Sequence, residues 1–283
     1  MPLRPQVTKR TLSTLTFVSW CLRGKNQITL IVSFLLSSTN VISQQKKIAS
    51  IEIADVHSAY VDRPGDLYVL QKNNTLKKFD IQGKLVSERA FPEFPATFDP
   101  RDGARMFVCF QSTQHCSFFS EETKQEFVIE PQYAIDPQFI CSSGDHHIWI
   151  LDRSDWSLKM INPAQSKVMT EAFIDQTQFT YTPEFTFIRE YQNFLFMIEK
   201  NSGILIFNSL GKQVKKIGAA EIEYLNFLGA ELYYKKNDKL FFYDLFDAST
   251  REIPVDPACR FALLTDARMF LIYENKIVIF ENY

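Results

Sequence analysis

Six copies of an apolar-aromatic pair set the architecture of this chain: Leu67-Tyr68, Met106-Phe107, Ile148-Trp149, Leu195-Phe196, Leu232-Tyr233 and Met269-Phe270. Successive aromatics lie 39, 42, 47, 37 and 37 residues apart. A second anchor keeps step, since Phe79, Phe119, Ile161, Phe207, Tyr243 and Phe280 follow their partners by 10 to 12 residues. Two anchors that hold phase over six copies mark a structural repeat, and a period near 40 residues belongs to propeller blades and related arrays. From residue 48 onward, short apolar runs alternate with turn residues and no stretch sustains a 3.6-residue period, which points to strands. The fold class is all-β: a six-bladed β-propeller of four-stranded antiparallel blades.

The clearest copy runs from Tyr60 to Val86 as strand, turn, strand, hairpin, strand, turn, strand. A fourth strand opens with Lys84, Lys124, Lys167 and Lys212 in four copies, which gives a charged outer edge that resists unwanted strand addition. The sixth copy stops at Tyr283 after its third strand. The segment Lys47–Ile53 precedes the first copy with nothing of its own to pair with, so the N-terminal strand is expected to complete the last blade and close the ring. Within residues 57–91, Asp62-x-x-Gly65-x-Leu67-Tyr68-Val69 and Leu76-Lys77-Lys78-Phe79-Asp80-x-x-Gly83-Lys84 resemble the six-bladed propellers of the NHL-repeat and TolB-like kind. The resemblance fades elsewhere: blade two lacks the Lys-Lys-Phe run, and blade four carries Glu190-Tyr191-Gln192-Asn193 where the Asp-x-x-Gly turn is expected. It implies blades around a narrow channel. It implies no single activity, since such propellers include binding modules, lactonases and lyases.

Ahead of the repeats, Arg23 and Lys25 precede the nine-residue apolar stretch Ile28–Leu36, and Val41-Ile42-Ser43 before Gln44 fits the small-residue rule for signal-peptidase cleavage. Nine residues are too few to span a bilayer as a helix. Residues 1–43 therefore read as a leader with a signal peptide and residues 44–283 as one propeller domain. Residues 1–21 are long for a leader, and a translation start near Leu22 would account for them. The expected location is the periplasm, outer envelope or extracellular space, with no transmembrane span in the mature chain. Four cysteines remain after cleavage, and only Cys109 and Cys116 are close enough in sequence to face each other across a hairpin. A disulfide and a pair of small buried thiols both fit that spacing.

Charge excludes some partners. With 31 basic and 33 acidic side chains interspersed, the chain has no basic cluster of the kind nucleic acid requires. No Gly-x-Ser-x-Gly elbow, phosphate-cradling glycine loop or His-Glu-x-x-His helix is present. Asp152-x-x-Asp155 lacks the alternating oxygen ligands of a calcium loop and reads as a turn-forming pair. His57 and His115 belong to one face of the ring and His146-His147 to the other, so the histidines do not converge. Each blade-to-blade loop carries an acid: Asp55, Glu93, Asp136, Glu184, Glu221 with Glu223, and Asp256. On the drawn blades these ring one mouth of the channel, beside His57, where they would hold a divalent cation or receive a basic partner. Acids are also common in loops for ordinary reasons. Phe179 and Tyr181 lie in the longest repeat, where an exposed aromatic pair would contact a sugar or peptide.

The favoured reading is a monomeric, non-enzymatic binding or scaffold propeller with a protein, peptide or glycan ligand and no cofactor. The alternative is a metal-dependent hydrolase or lactonase with calcium held by carboxylates at the channel mouth. The first strands offer mainly Ala59, Tyr60, Thr97, Ile140, Thr186 and Leu263 toward the channel, which is poor in the oxygen ligands such an enzyme needs.

Overall fold

The computed structural model describes residues 46–282, apart from residues 121 and 145 and the side chain of Asp102. The leader, its cleavage position and Cys21 lie outside the described residues. The described residues form six four-stranded antiparallel sheets arranged as a six-bladed propeller, with two single-turn 3-10 helices, Pro163–Gln165 and Gln176–Gln178. First strands, nearest the channel, are Val56–Val61, Thr97–Asp102, Pro137–Ser142, Phe185–Tyr191, Asn226–Leu228 and Phe261–Leu264. Second strands begin at Leu67, Arg105, Ile148, Phe194, Glu231 and Arg268.

The ring closes as the repeats require. Lys47–Glu52 pairs antiparallel with Lys276–Glu281, with Ser50 opposite Val278 and Ile51 opposite Ile277. The first described strand is thus the fourth strand of blade six. Ile277 and Ile279 from the end of the chain share a core cluster with Val56, Leu67 and Phe79 from blade one. Closure therefore buries apolar surface as well as satisfying a sheet edge.

The anchors that define the repeat are core residues. Tyr68, Phe107, Trp149, Phe196, Tyr233 and Phe270 are all at most 1% exposed. Each sits on a second strand, flanked on both sides by other strands of its sheet and covered by a neighbouring blade. Burying one such side chain contributes roughly 1.5–3 kcal/mol. Phe79, Phe119, Ile161 and Phe207 are buried as well, whereas Tyr243 and Phe280 are half-buried. Burial falls off sharply at the periphery, and all six residues of Leu85–Ala90 are exposed.

Turn chemistry explains the Asp-x-x-Gly pattern. Asp62 Oδ1 accepts hydrogen bonds from the amides of Gly65 (3.0 Å) and Asp66 (2.8 Å), and its Oδ2 accepts from the Tyr68 hydroxyl (3.0 Å). Gly65 has φ +100, a region that penalises any side chain. Blade four solves the same corner differently. Glu190 is withdrawn into the first strand, and Gln192 (φ 49) and Asn193 (φ 63) make a tight two-residue turn between Tyr191 and Phe194.

Candidate functional site

Of the seven rim acids, Glu223 lines the channel mouth, and the residues of the other six stay with their own blades. In each case the partner is the hairpin between the second and third strands. The Asp55 carbonyl accepts from the Lys72 amide (2.8 Å). Glu93 accepts the hydroxyls of Ser112 and of Thr113, the latter at 3.1 Å. Asp136 takes the Arg153 Nε at 2.8 Å, and Glu184 takes the Lys200 Nζ at 2.9 Å. Glu221 lies 3.7 Å from the Lys236 Nζ, and Asp256 accepts from the Tyr273 hydroxyl at 3.0 Å. Among the described residues no three His, Cys, Asp or Glu side chains gather as metal ligands would. These acids are blade-local latches, while Lys72 of the blade-one hairpin reaches Glu274 of the blade-six hairpin at 3.6 Å where the ring closes.

Immediately inside this rim, the last residue of the second strand holds the lead-in loop. Gln71 Nε2 donates to the Ala54 carbonyl (2.7 Å). Asp152 accepts the amides of Ile135 (2.9 Å) and Asp136 (3.0 Å), the Ser154 hydroxyl and the Lys159 ammonium. Glu199 accepts the amides of Glu184 (3.1 Å) and Ser202 (2.7 Å). Both carboxylates have no exposed surface. Burial pushes each up, yet the donors around them outweigh it and hold both below the ordinary carboxylate range. Asp152 and Asp155 are turn residues, with Asp155 accepting the Ser157 amide at 3.0 Å.

The aromatics of the long repeat do not form an exposed pair. Phe179 is buried against Phe185, with ring centroids 6.4 Å apart. Tyr181 is 40% exposed and donates its hydroxyl to Glu199 (2.9 Å). His57 is exposed at the rim and meets the Phe94 ring edge-on at 4.3 Å. Partial burial, then Arg260 and Lys72, hold its imidazole below the ordinary histidine range. Cys109 and Cys116 oppose each other across the blade-two hairpin and form a disulfide.

The feature that sequence reasoning missed lies deeper. First-strand residues of all six blades, with their lead-in loops, enclose a channel cavity of about 390 Å³. Its mouth carries His57, Thr186, Glu223 and Arg260, and its floor carries Asp99, Arg189 and Asn226. Beneath them sit Arg101 and Glu190. The first strands thus bring charge to the axis beside the expected Ala59, Tyr60, Thr97 and Thr186, whereas Ile140 and Leu263, expected there too, are packed into core clusters between blades. Asp99 Oδ2 accepts the Ser142 hydroxyl at 2.7 Å and lies 3.5 Å from Arg101 Nε; its Oδ1 accepts the Arg101 amide at 3.0 Å. Arg189 donates to Asn226 and lies 3.8 Å from Asp99 Oδ1. Glu190 accepts the Trp149 indole N–H at 3.1 Å and the Gly144 amide at 3.3 Å, and its carbonyl accepts from Arg101.

Two arginines and two carboxylates make this floor formally neutral. Burial pushes the Asp99 carboxyl up, but Arg101, Arg189 and Ser142 outweigh it and hold it below the ordinary range. Burial pulls the Arg189 guanidinium down by more than Asp99 restores. Burial likewise pushes the Cys141 thiol up, which makes it an inert wall residue. The missed signal was Arg189-Glu190 between the apolar-aromatic Phe187-Ile188 and Tyr191, and Asp99-Pro100-Arg101 in a strand position. A charge pair in an innermost strand has no solvent to face.

No known protein family matches the chain, and no curated protein matches it. Solved structures do. The chain is similar to virginiamycin B lyase from Staphylococcus aureus, with TM-score 0.55 and 13% identity over 83% of this chain and 99% of that one. It is similar to the WD40 domain of Neurospora crassa Pan2, with TM-score 0.53 and 10% identity over 84% and 95%. It is also similar to the extracellular domain of a putative hybrid two component system from B. thetaiotaomicron, with TM-score 0.52 and 11% identity over 80% of this chain and 34% of that one. At such identities the shared property is the fold, and that fold is the β-propeller.

Proposed function

We propose that this protein is an exported binding propeller of the cell envelope or extracellular space, whose protein, peptide or glycan ligand enters the mouth of the central channel. The observation that carries the reading is the channel cavity. Residues from all six blades converge on it, and it combines aromatic walls with a few placed polar groups, as ligand sites do. The floor carboxylates Asp99 and Glu190 are engaged by arginines, a hydroxyl, an indole N–H or backbone amides, which leaves them to position rather than to react. A wider cleft of about 570 Å³ opens between the outer strands of blades one and two, but it draws on those two blades alone. Export is supported by the leader pattern and by the Cys109–Cys116 disulfide, since such bonds persist in oxidising compartments.

Affinity capture from envelope extract, run in parallel with the native chain and with Thr186→Trp, tests the binding reading. Thr186 is exposed on the cavity wall, so a tryptophan there obstructs the mouth without disturbing the core. A ligand retained by the native chain and lost from the variant is expected. Retention by both places binding elsewhere and overturns the reading. Fractionation with thiol alkylation tests export: the protein belongs in the envelope or medium fraction with Cys109 and Cys116 unreactive, and a reduced cytosolic pool would sink that part.

A further inference from the structure

Both floor arginines have a buried Nε with no hydrogen-bond partner, and of the two Arg189 is the one that lines the channel cavity. Its Nη1 donates to Asn226, its Nη2 lies 3.8 Å from Asp99 Oδ1, beyond hydrogen-bond reach, and its Nε is buried with no partner. Nε and Nη2 together form the side-on edge of a guanidinium, which grips a planar two-oxygen acid through two parallel bonds. Asp99 does not fill that role, because its oxygens are turned to Ser142 and to the Arg101 amide. Glu190 lies below, engaged by Trp149, Gly144 and Arg101. The cation is thus left with donors unused, in a site where burial pulls its proton affinity down by more than Asp99 restores. A cationic ligand would find the floor carboxylates already taken.

The walls between floor and mouth decide what else the ligand carries. Ala59, Phe139, Tyr224, Leu225 and Phe261 line them, with Tyr224 and Phe261 ring centroids 5.3 Å apart. Such a wall favours an apolar or aromatic body. Arg260, His57 and Glu223 stand at the mouth, with Arg260 held by the Val56 carbonyl and by Glu274 at 3.4 Å, so the selection for charge falls to the floor.

We propose that the channel cavity binds a carboxylate attached to an apolar or aromatic body, with the carboxylate docked on Arg189. This rests on the channel being a ligand site. Two sources supply that chemistry: a small aromatic acid, or the C-terminus of a peptide ending in an apolar residue.

Calorimetric titration of the full chain with four probes tests it. The probes are 3-phenylpropionate, its amide, and acetyl-Gly-Gly-Phe with a free or an amidated C-terminus. Both acids are expected to bind, with each amide at least tenfold weaker. Arg189→Lys keeps the charge but loses the two-pronged edge, and it should weaken the acids at least tenfold while leaving the amides unchanged. Should that variant not fold, Thr186→Trp, which leaves the floor intact, should abolish acid binding. The tighter of the two acids identifies the source, and either order supports the assignment. Equal binding of acids and amides overturns the carboxylate assignment while leaving the channel as a ligand site. Acid binding that survives both variants places it outside the channel and overturns the proposal, and no binding by any probe overturns it too, while the channel as a ligand site still stands or falls on the capture experiment.

Discussion

The rim and the floor of the channel use the same residue types to opposite ends. At the rim, Asp136 meets Arg153 and Glu184 meets Lys200 within one blade, with both partners in each pair 42–58% exposed. At the floor, Asp99 of blade two bonds Ser142 of blade three and faces Arg189 of blade four, which in turn holds Asn226 of blade five. The rim fixes each hairpin to its own lead-in loop. The floor couples four blades through groups with little or no access to water. Position thus decides whether a charge pair shapes one blade or ties the ring together.

The sharpest way to break the comparison is Asp99→Ala. It strips Arg101 and Arg189 of a buried partner, and removal of one member of a buried ion pair costs about 3–5 kcal/mol. Urea denaturation should show a loss of that size. The double variant Asp99→Leu/Arg189→Met should lose less than the sum of its single changes, because it leaves fewer unpaired charges. Strict additivity would mean that the two groups do not sense each other.

Next in size is Glu199→Gln, which removes the charge from a fully buried acceptor of three backbone amides and the Tyr181 hydroxyl. Hydrogen bonds to charged groups contribute about 1.5–3 kcal/mol, and the loss should fall at the lower end since the amide oxygen still accepts. A change no larger than that of a rim acid would erase the distinction between buried and exposed latches.

Acid titration sharpens the same contrast. Asp99, Asp152 and Glu199 are held below their ordinary values of 3.8 and 4.5, so the unfolded chain binds protons first. Their stabilisation is complete above those values and is lost as pH falls through the lower folded-state values. Asp62, pushed up by burial, works in the opposite direction. Three groups against one predict urea midpoints that hold between pH 7 and 5 and drop steeply below about 4. The drop should be shallower in Asp99→Ala, and an unchanged profile would remove Asp99 from the set.

Much of the fold was legible because the propeller writes its period into its anchors. An aromatic buried in every second strand cannot move without exposing a large apolar surface, so Tyr68 through Phe270 keep their phase. The unpaired segment Lys47–Ile53 was legible for a related reason, since a sheet edge with no partner must find one. The channel was not legible. Arg189 and Glu190 look like surface charges in one dimension, and only the ring places their strand at an axis lined by five others. The acids of the rim were found by counting, but counting does not reveal that Tyr273 or Arg153 already meets each of them.

Glu184→Gln tests the lower end of the comparison. Its carboxylate meets Lys200 Nζ at 2.9 Å and 3.0 Å, yet the two side chains are 58% and 54% exposed. An exposed pair of this kind contributes about 0–1 kcal/mol, because water and salt screen the attraction and two flexible chains must be ordered. The backbone bond from the Lys200 amide to the Glu184 carbonyl, at 3.0 Å, survives the substitution and keeps the loop in place. The urea midpoint should therefore move little, and the small difference should shrink further at 1 M salt. A larger loss that persists in high salt would show that this rim acid reaches beyond its own blade, as the floor residues do.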